Sequence, residues 1–282
     1  MTSKTSAASI SIISNSSLVI IKFIAGFMSG SVSVISEAIH SMMDLVAAMI
    51  AYFAVRISDT PADEEHPYGH GKFENVSGVI EALLIFIAAV WIIHEAVIKL
   101  MHHEPMDKAG MGIIVMSISA VTNFFVSRHL YKVAIKTESI ALEADALHLK
   151  TDIYTSAGVA IGLILILITG IQIIDPIVAI MVAMLILREA YELLNRAYKP
   201  LLDTAISAKE LRAVEKCIIE SNYTYHDLKS RQSGNQRFVE FHLEMPGDVP
   251  LKEVHKKCDE IEEVIKSKVA NININIHVET RD

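Results

Sequence analysis

Residues 140–158 read IALEADALHLKTDIYTSAG, and residues 159–170 continue VAIGLILILITG. The second stretch is almost wholly aliphatic, and together they exceed the ~20 residues a helix needs to cross a hydrocarbon core. Yet the same segment carries Asp145, His148 and Asp152. Spacings of three and four put these side chains on one helix face. Ionisable groups at such depth are expensive unless they pair or line a water-filled path. A segment that is both membrane-long and charged along one stripe decides the fold class: a helical membrane protein with a polar interior.

The pattern occurs twice. Residues 33–55 read SVISEAIHSMMDLVAAMIAYFAV, in which Glu37, His40 and Asp44 repeat the three-and-four spacing. Six apolar segments emerge, at Ile10–Met28, Val32–Val55, Val76–Met101, Gly112–Leu130, Leu142–Thr169 and Ile173–Leu194. Short links, Ser29–Ser31 and Gly170–Gln172, predict antiparallel neighbours. With the N-terminus inside, the inner side holds Lys4, Arg56, Lys72, Arg128, Lys132, Lys136, Arg196 and Lys199, against Lys99 and Lys108 outside. This positive-inside bias leaves both termini cytoplasmic. Lys22 and Glu81 fall within spans and are expected to pair.

Composition agrees. The chain has 282 residues, 52% of them hydrophobic, and a mean hydropathy of +0.40. Net charge is −8, with 13 basic and 18 acidic groups up to residue 199 and 12 and 15 beyond it. Neither part is a basic nucleic-acid binder. Disorder, a fibrous chain and a disulfide scaffold are excluded, and Cys217 and Cys258 read as reduced thiols.

His40, Asp44, His148 and Asp152 offer two imidazole nitrogens and two carboxylate oxygens. Such a set closes a tetrahedron, which zinc accepts readily. Manganese favours more oxygen, and cadmium, cobalt or ferrous iron fit the same atoms. A polar network gluing helices, or a permanently buried zinc, would use the same residues. Asp63, His66 and His70 gather three further ligands in the loop DTPADEEHPYGHGKFE (residues 59–74), where Pro67, Gly69 and Gly71 force turns. A solvated loop is the alternative there.

The polar tail reads as α-β-β-α-β. Ser207-Ala-Lys-Glu210 is a capping box opening a helix to about Ser221. Tyr225–Arg231 and Arg237–Met245 flank a hairpin turn, Pro250–Lys268 is a helix, and Asn271–Glu279 alternates as a strand. That order predicts a small open sheet with helices on one face, ferredoxin-like without its first strand. At ~80 residues it buries little core alone, so a partner subunit would help. His226, His242, His255 and His277 lie here with Glu279, a candidate regulatory metal cluster.

The whole pattern resembles the cation diffusion facilitator family of metal/proton antiporters. The motifs match at His40 and Asp44 in the second helix and at His148 and Asp152 in the fifth. The resemblance implies a six-helix transmembrane domain (residues 1–203), a cytoplasmic metal-binding and dimerisation domain (204–282), a homodimer, and a place in the inner (plasma) membrane. It makes the four motif residues the transported-metal site and Asp63, His66 and His70 a second site. His226, His242, His255, His277 and Glu279 match a two-metal cytoplasmic cluster, and Lys72 and Asp203 a salt bridge. Histidine at position 40 resembles zinc-preferring members; Glu279 departs from the aspartate of a related type.

The expected function is export of Zn2+, with Cd2+ as a companion substrate, in exchange for protons, with no organic cofactor. Mn2+ or Fe2+ efflux is the alternative, followed by a non-transporting metal sensor. A metalloprotease lacks its motif, since His94-Glu95 has no second histidine. Strong ligands slow release, which argues against a channel.

Overall fold

The computed structural model describes residues 3–29, 32–101, 110–169 and 173–281. The links at Ser29–Ser31 and Gly170–Gln172 and the outer Lys108 fall wholly or partly outside them, as do the side chains of Glu37, His40 and Lys99. Contacts divide the chain into two units, Met1–Tyr198 and Lys199–Asp282.

The first unit is six long helices: α1 (Ser3–Ser29), α2 (Val32–Ser58), α3 (Lys72–Met101), α4 (Gly110–Thr137), α5 (Ile140–Thr169) and α6 (Ile174–Tyr198). Most run past the apolar segments read from the sequence. Hydropathy sees only the greasy middle, whereas the backbone ladder continues through polar turns such as Arg128–Thr137. Ser3–Ala25 and Lys72–Ile98 are, among the described residues, long and apolar enough to cross a membrane by length and composition.

The packing is that of a bilayer protein. The buried positions are dominated by small residues: Ala47, Ala48, Ala51, Ala82, Ala89, Ala144, Ala183 and Ala190 are all at most 1% exposed. Large apolar side chains such as Ile13, Phe27, Ile87, Trp91, Phe125 and Leu185 point outward. Water would penalise that arrangement, whereas lipid favours close helix approach through small residues. Gly78 shows how close. A Cβ there would lie 2.5 Å from Ile140 Cγ2 of α5 and 3.1 Å from Ala197 Cβ of α6.

One polar knot ties the helix ends. Glu74, at the start of α3, accepts from Lys4 Nζ at 2.8 Å and from the Ser58 hydroxyl at 2.7 Å, and also from the Ser139 hydroxyl. It joins the starts of α1 and α3, the end of α2 and the residue before α5. Lys22, expected to pair with Glu81, instead donates to Ser41 at 2.6 Å, and Glu81 accepts from Ser77 at 3.2 Å. Ser77 lies one turn before Glu81 on its own helix, and a neighbour on the same helix needs no tertiary placement.

The second unit begins with a short 3-10 turn (Lys199–Leu202), followed by α7 (Ala208–Glu220), β1 (Thr224–Ser233), β2 (Gln236–Pro246), α8 (Leu251–Lys268) and β3 (Ile272–Arg281). Ser207 and Glu210 form the reciprocal capping box that starts α7. Burial would raise the Glu210 carboxyl, but the Ser207 hydroxyl and the Arg237 guanidinium hold it below the usual carboxylate range. Gly234, at φ +58°, makes a two-residue hairpin turn with Asn235. The sheet is mixed and open: β1 runs antiparallel to β2, and β2 parallel to β3. Val239, Phe241, Leu243 and Met245 of β2 share one face and form the core with Val214 and Ile218 of α7 and Ile261 and Ile265 of α8. Both helices therefore cover one side of the sheet and leave the other to polar residues.

Candidate metal centre

α2 and α5 bring Asp44, His148 and Asp152 together. One ligand atom from each lies within 4.8 Å of the other two. His148 Nε2 sits 3.1 Å from Asp44 Oδ1. The side chains of Asp44 and His148 are 8% and 13% exposed, so the charges are held away from bulk water. His148 Nδ1 is buried without a hydrogen-bond partner. Asn123 of α4, a polar residue within an apolar span, donates to Asp152 Oδ2 at 3.4 Å. Its own amide oxygen is buried and unpartnered. The i,i+4 spacing of His148 and Asp152 lets both reach one point from one helix; Asp44 closes on it from the other. His40 lies one turn before Asp44 on α2, and its side chain falls outside the described residues.

The loop between α2 and α3 forms a second cluster from Asp63, His66 and His70. Asp63 Oδ2 is 3.3 Å from His70 Nε2, and Asp63 Oδ1 is 3.4 Å from His66 Nδ1. The His66 backbone N–H donates to Asp63 at 2.6 Å. That bond, with the two imidazoles, holds the Asp63 carboxyl below its ordinary value. Gly69, at φ +81°, makes the turn that folds His70 back over His66, with ring centroids 4.4 Å apart. The turn residues thus act as the sequence suggested, in a loop that is otherwise largely exposed.

In the second unit the sheet register builds the cluster. His226 pairs across from His242, and His242 from His277, so three imidazoles form a row on the uncovered face. Ring centroids are 5.0 Å and 4.7 Å apart along it. Glu279 lies against the row, 2.9 Å from His242 Nδ1 and 3.4 Å from His226 Nε2. His226, His242 and Glu279 converge within 4.8 Å; His277 Nε2 is 3.6 Å from Glu279. His255 is not in this group. It lies on exposed α8, 3.7 Å from Asp259. Two acidic residues outside the cluster read from the sequence lie beside it. Asp227, in a β-bulge at φ +51°, lies 3.8 Å from His242, and Glu244 lies 3.2 Å from His226. Lys229, then His242 and His226, hold the Asp227 carboxyl below its usual range.

Lys72 opens α3 in the first unit. Asp203 belongs to the second, where it lies 3.5 Å from Arg231.

A pair of charged, ligand-bearing helices inside an apolar bundle, joined to a small mixed-sheet domain, defines a membrane carrier of cations. The cation efflux transmembrane domain matches residues 8–202, and the cytoplasmic domain of cation efflux proteins matches residues 207–281. The chain is 34% identical to an uncharacterized transporter of Synechocystis over 255 residues, covering 89% of this chain and 82% of the relative. It is 31% identical to the cation-efflux pump FieF of Klebsiella pneumoniae over 264 residues (93% and 88%). The FieF of Cronobacter sakazakii is 32% identical over 262 residues (92% and 87%). The chain belongs to the cation efflux, or cation diffusion facilitator, family: it is a cation transporter, not an enzyme, with a helical transmembrane domain and an α/β cytoplasmic domain.

Proposed function

We propose that the protein exports Zn2+ from the cytoplasm in exchange for protons, through a transport site of His40, Asp44, His148 and Asp152. The observation that carries this reading is the convergence of Asp44 with His148 and Asp152 from two helices on a volume fit for one ion. With His40 as fourth ligand the set is two nitrogens and two oxygens, suited to tetrahedral zinc. The orphaned amide oxygen of Asn123 favours a second reading. It would add an oxygen donor beside Asp152, as Mn2+ or Fe2+ prefers.

In this reading all six long helices span the inner membrane, with both termini cytoplasmic. The ligands shed protons to take up the ion, the helix bundle reorients, and protons from the far side displace the ion. Histidine suits this exchange because its ordinary pKa lies near working pH. Moving a divalent cation outward against ~100 mV costs about 4.6 kcal/mol, so an inward-moving counter-ion is required.

The cytoplasmic unit acts as a regulatory metal domain and dimer contact, ferredoxin-like without its first strand. That reading is supported by its three strands, its polar uncovered face and its histidine row. His226, His242, His277 and Glu279 hold zinc there, and His255 joins them as a ligand in the dimer. Asp63, His66 and His70 form a weak exchanging site. Lys72 and Asp203 form the salt bridge of this reading, which holds the membrane helices to the dimer hinge.

The test is metal uptake by proteoliposomes under an imposed pH gradient, with Zn2+, Cd2+, Mn2+ and Fe2+ compared. Zinc uptake that is lost in Asp44→Ala supports the reading. Uptake retained in Asp44→Ala refutes the site, and manganese or iron uptake with zinc excluded refutes the substrate.

A further inference from the structure

Glu81 of α3 and Asp145 of α5 are both 0% exposed. Buried carboxylates normally find partners. Ser77 donates to Glu81 Oε1, but Glu81 Oε2 and both oxygens of Asp145 accept nothing. The Ser11 hydroxyl of α1 faces Asp145 without closing a hydrogen bond. One turn further along α1 the amide nitrogen of Asn15 is buried and unpartnered too. Glu81 and Asp145 stand on helices, α3 and α5, that pack against each other. Their chain neighbours Ala82 and Ala144 pack in a single core cluster. Among the described residues neither carboxylate has a lysine or arginine partner: Lys4 is bound to Glu74, and Lys22 donates to Ser41.

A network meant only to glue helices would satisfy these oxygens, because an unmet buried acceptor costs about 1–3 kcal/mol. Here three of the four carboxylate oxygens are open, and the polar atoms come from three helices. The set is oxygen-rich and doubly acidic, with a serine hydroxyl and no lysine or arginine partner among the described residues. That is the environment of a hard, partly hydrated divalent cation. Its place along the helix is also informative. Asp145 precedes His148 by three residues, about 4.5 Å of rise, toward the start of α5. The same direction on α3 leads from Glu81 back to Glu74 and the polar knot.

We propose that Glu81, Asp145 and the Ser11 hydroxyl form a staging site, which holds the divalent cation before it reaches Asp44, His148 and Asp152. The ion offsets the charge of the two carboxylates and keeps part of its water. An all-oxygen set binds zinc more weakly than the nitrogen-containing set beyond it, so the ion moves on. The inference rests on the reading of Asp44, His148 and Asp152 as the transport site.

The paired variant Glu81→Gln/Asp145→Asn keeps side-chain shape and removes both charges. In proteoliposomes with zinc supplied on the cytoplasmic face, the half-saturating zinc concentration should rise about tenfold, equal to ~1.4 kcal/mol of lost binding. The loss should lie in KM, with kcat within about twofold, and Glu81→Asp/Asp145→Glu should recover part of it. An unchanged KM, or a fall in kcat alone, overturns the proposal and assigns the pair to helix packing. Anomalous diffraction from the wild-type protein at millimolar zinc gives an answer without any variant. Zinc peaks both beside Asp44 and between α3 and α5 support the staging site. A peak beside Asp44 alone overturns it and leaves the transport site standing; a peak at neither place overturns both.

Discussion

Removing Glu74 should cost more stability than removing any surface charge. Its side chain is 4% exposed and that of Lys4 is 9%, and they meet at 2.8 Å. Ser58 and Ser139 donate to the same carboxylate. Glu74→Leu therefore takes the nearest carboxylate from a buried ammonium and an acceptor from two hydroxyls. Breaking one side of a buried ion pair costs about 3–5 kcal/mol. At ~2–4 °C per kcal/mol for a unit of this size, the unfolding midpoint should fall by about 6–20 °C. Lys4 also lies 3.5 Å from Asp59, which keeps an acidic neighbour for the ammonium in Glu74→Leu and holds that variant toward the low end of the range. The double variant removes both charges, so it should lie well above the sum of the singles, with a coupling of about 0.5–3 kcal/mol. Thermal unfolding of the full chain in detergent, followed by far-UV circular dichroism, measures all four corners of the cycle. A drop below ~3 °C for Glu74→Leu, where ~6 °C is the least expected, or strictly additive singles, would refute the claim that this knot holds the helix ends.

Three other outcomes follow from the geometry. Gly78→Val should destabilise by about 1–3 kcal/mol through overpacking against Ile140, and Ile140→Ala in the same chain should restore part of the loss; thermal unfolding reads both. Zinc at ~100 times its Kd should stabilise the cytoplasmic unit by about 2.7 kcal/mol in a chelator-reversible way. In calorimetry of the full chain this gain should vanish in His242→Ala, which lies at the centre of the histidine row. Glu210 titrates below its unfolded value, so its contribution is present above about pH 4.3 and is lost as pH falls through the depressed folded value. Glu210→Gln should flatten that part of the acid unfolding curve, and an identical curve would refute the role given to Arg237 and Ser207.

The sequence was most legible where periodicity alone sets geometry. The three-and-four spacing of residues 145, 148 and 152 becomes one helix face, and the alternation of β2 becomes one buried sheet face. The capping box at Ser207 formed as read, because its two bonds are local. Contacts that depend on tertiary approach were not legible. Lys22 chose a serine over Glu81, and Glu81 chose a serine on its own helix. Asp227 entered the histidine row only because a bulge breaks the strand after His226, and no alternation pattern encodes a bulge. His242 and His277 were visible as polar-face residues, but that they share one row with His226 is a matter of register. His255 lies between His242 and His277 in the chain, but α8 carries it on an exposed face.

The ordering of charge around α5 explains how one helix can carry a lysine amid ligands for a cation. Lys150 lies two residues from both His148 and Asp152. Two residues are about 200° of helical turn, so its side chain leaves on the opposite side. There it meets Glu189 of α6 at 2.9 Å and the ring of Tyr154 at 5.1 Å, beside a cavity of about 550 Å³ between α4, α5 and α6. Arg196 is likewise held by Glu143, at 2.7 Å. Lys150 and Arg196 are thus each matched by a carboxylate from the neighbouring helix. The ligand side of α5 faces Asp44 and Asn123 instead, and its own acidic residues, Asp145 and Asp152, lie one above the other on that stripe. In the proposed transport reading a cation following the stripe meets carboxylates in succession, while Lys150 and Arg196 are turned away and paired. The sorting needs only the 3.6-residue period and two acidic partners, and it gives α5 one acidic stripe with Lys150 paired on the opposite side.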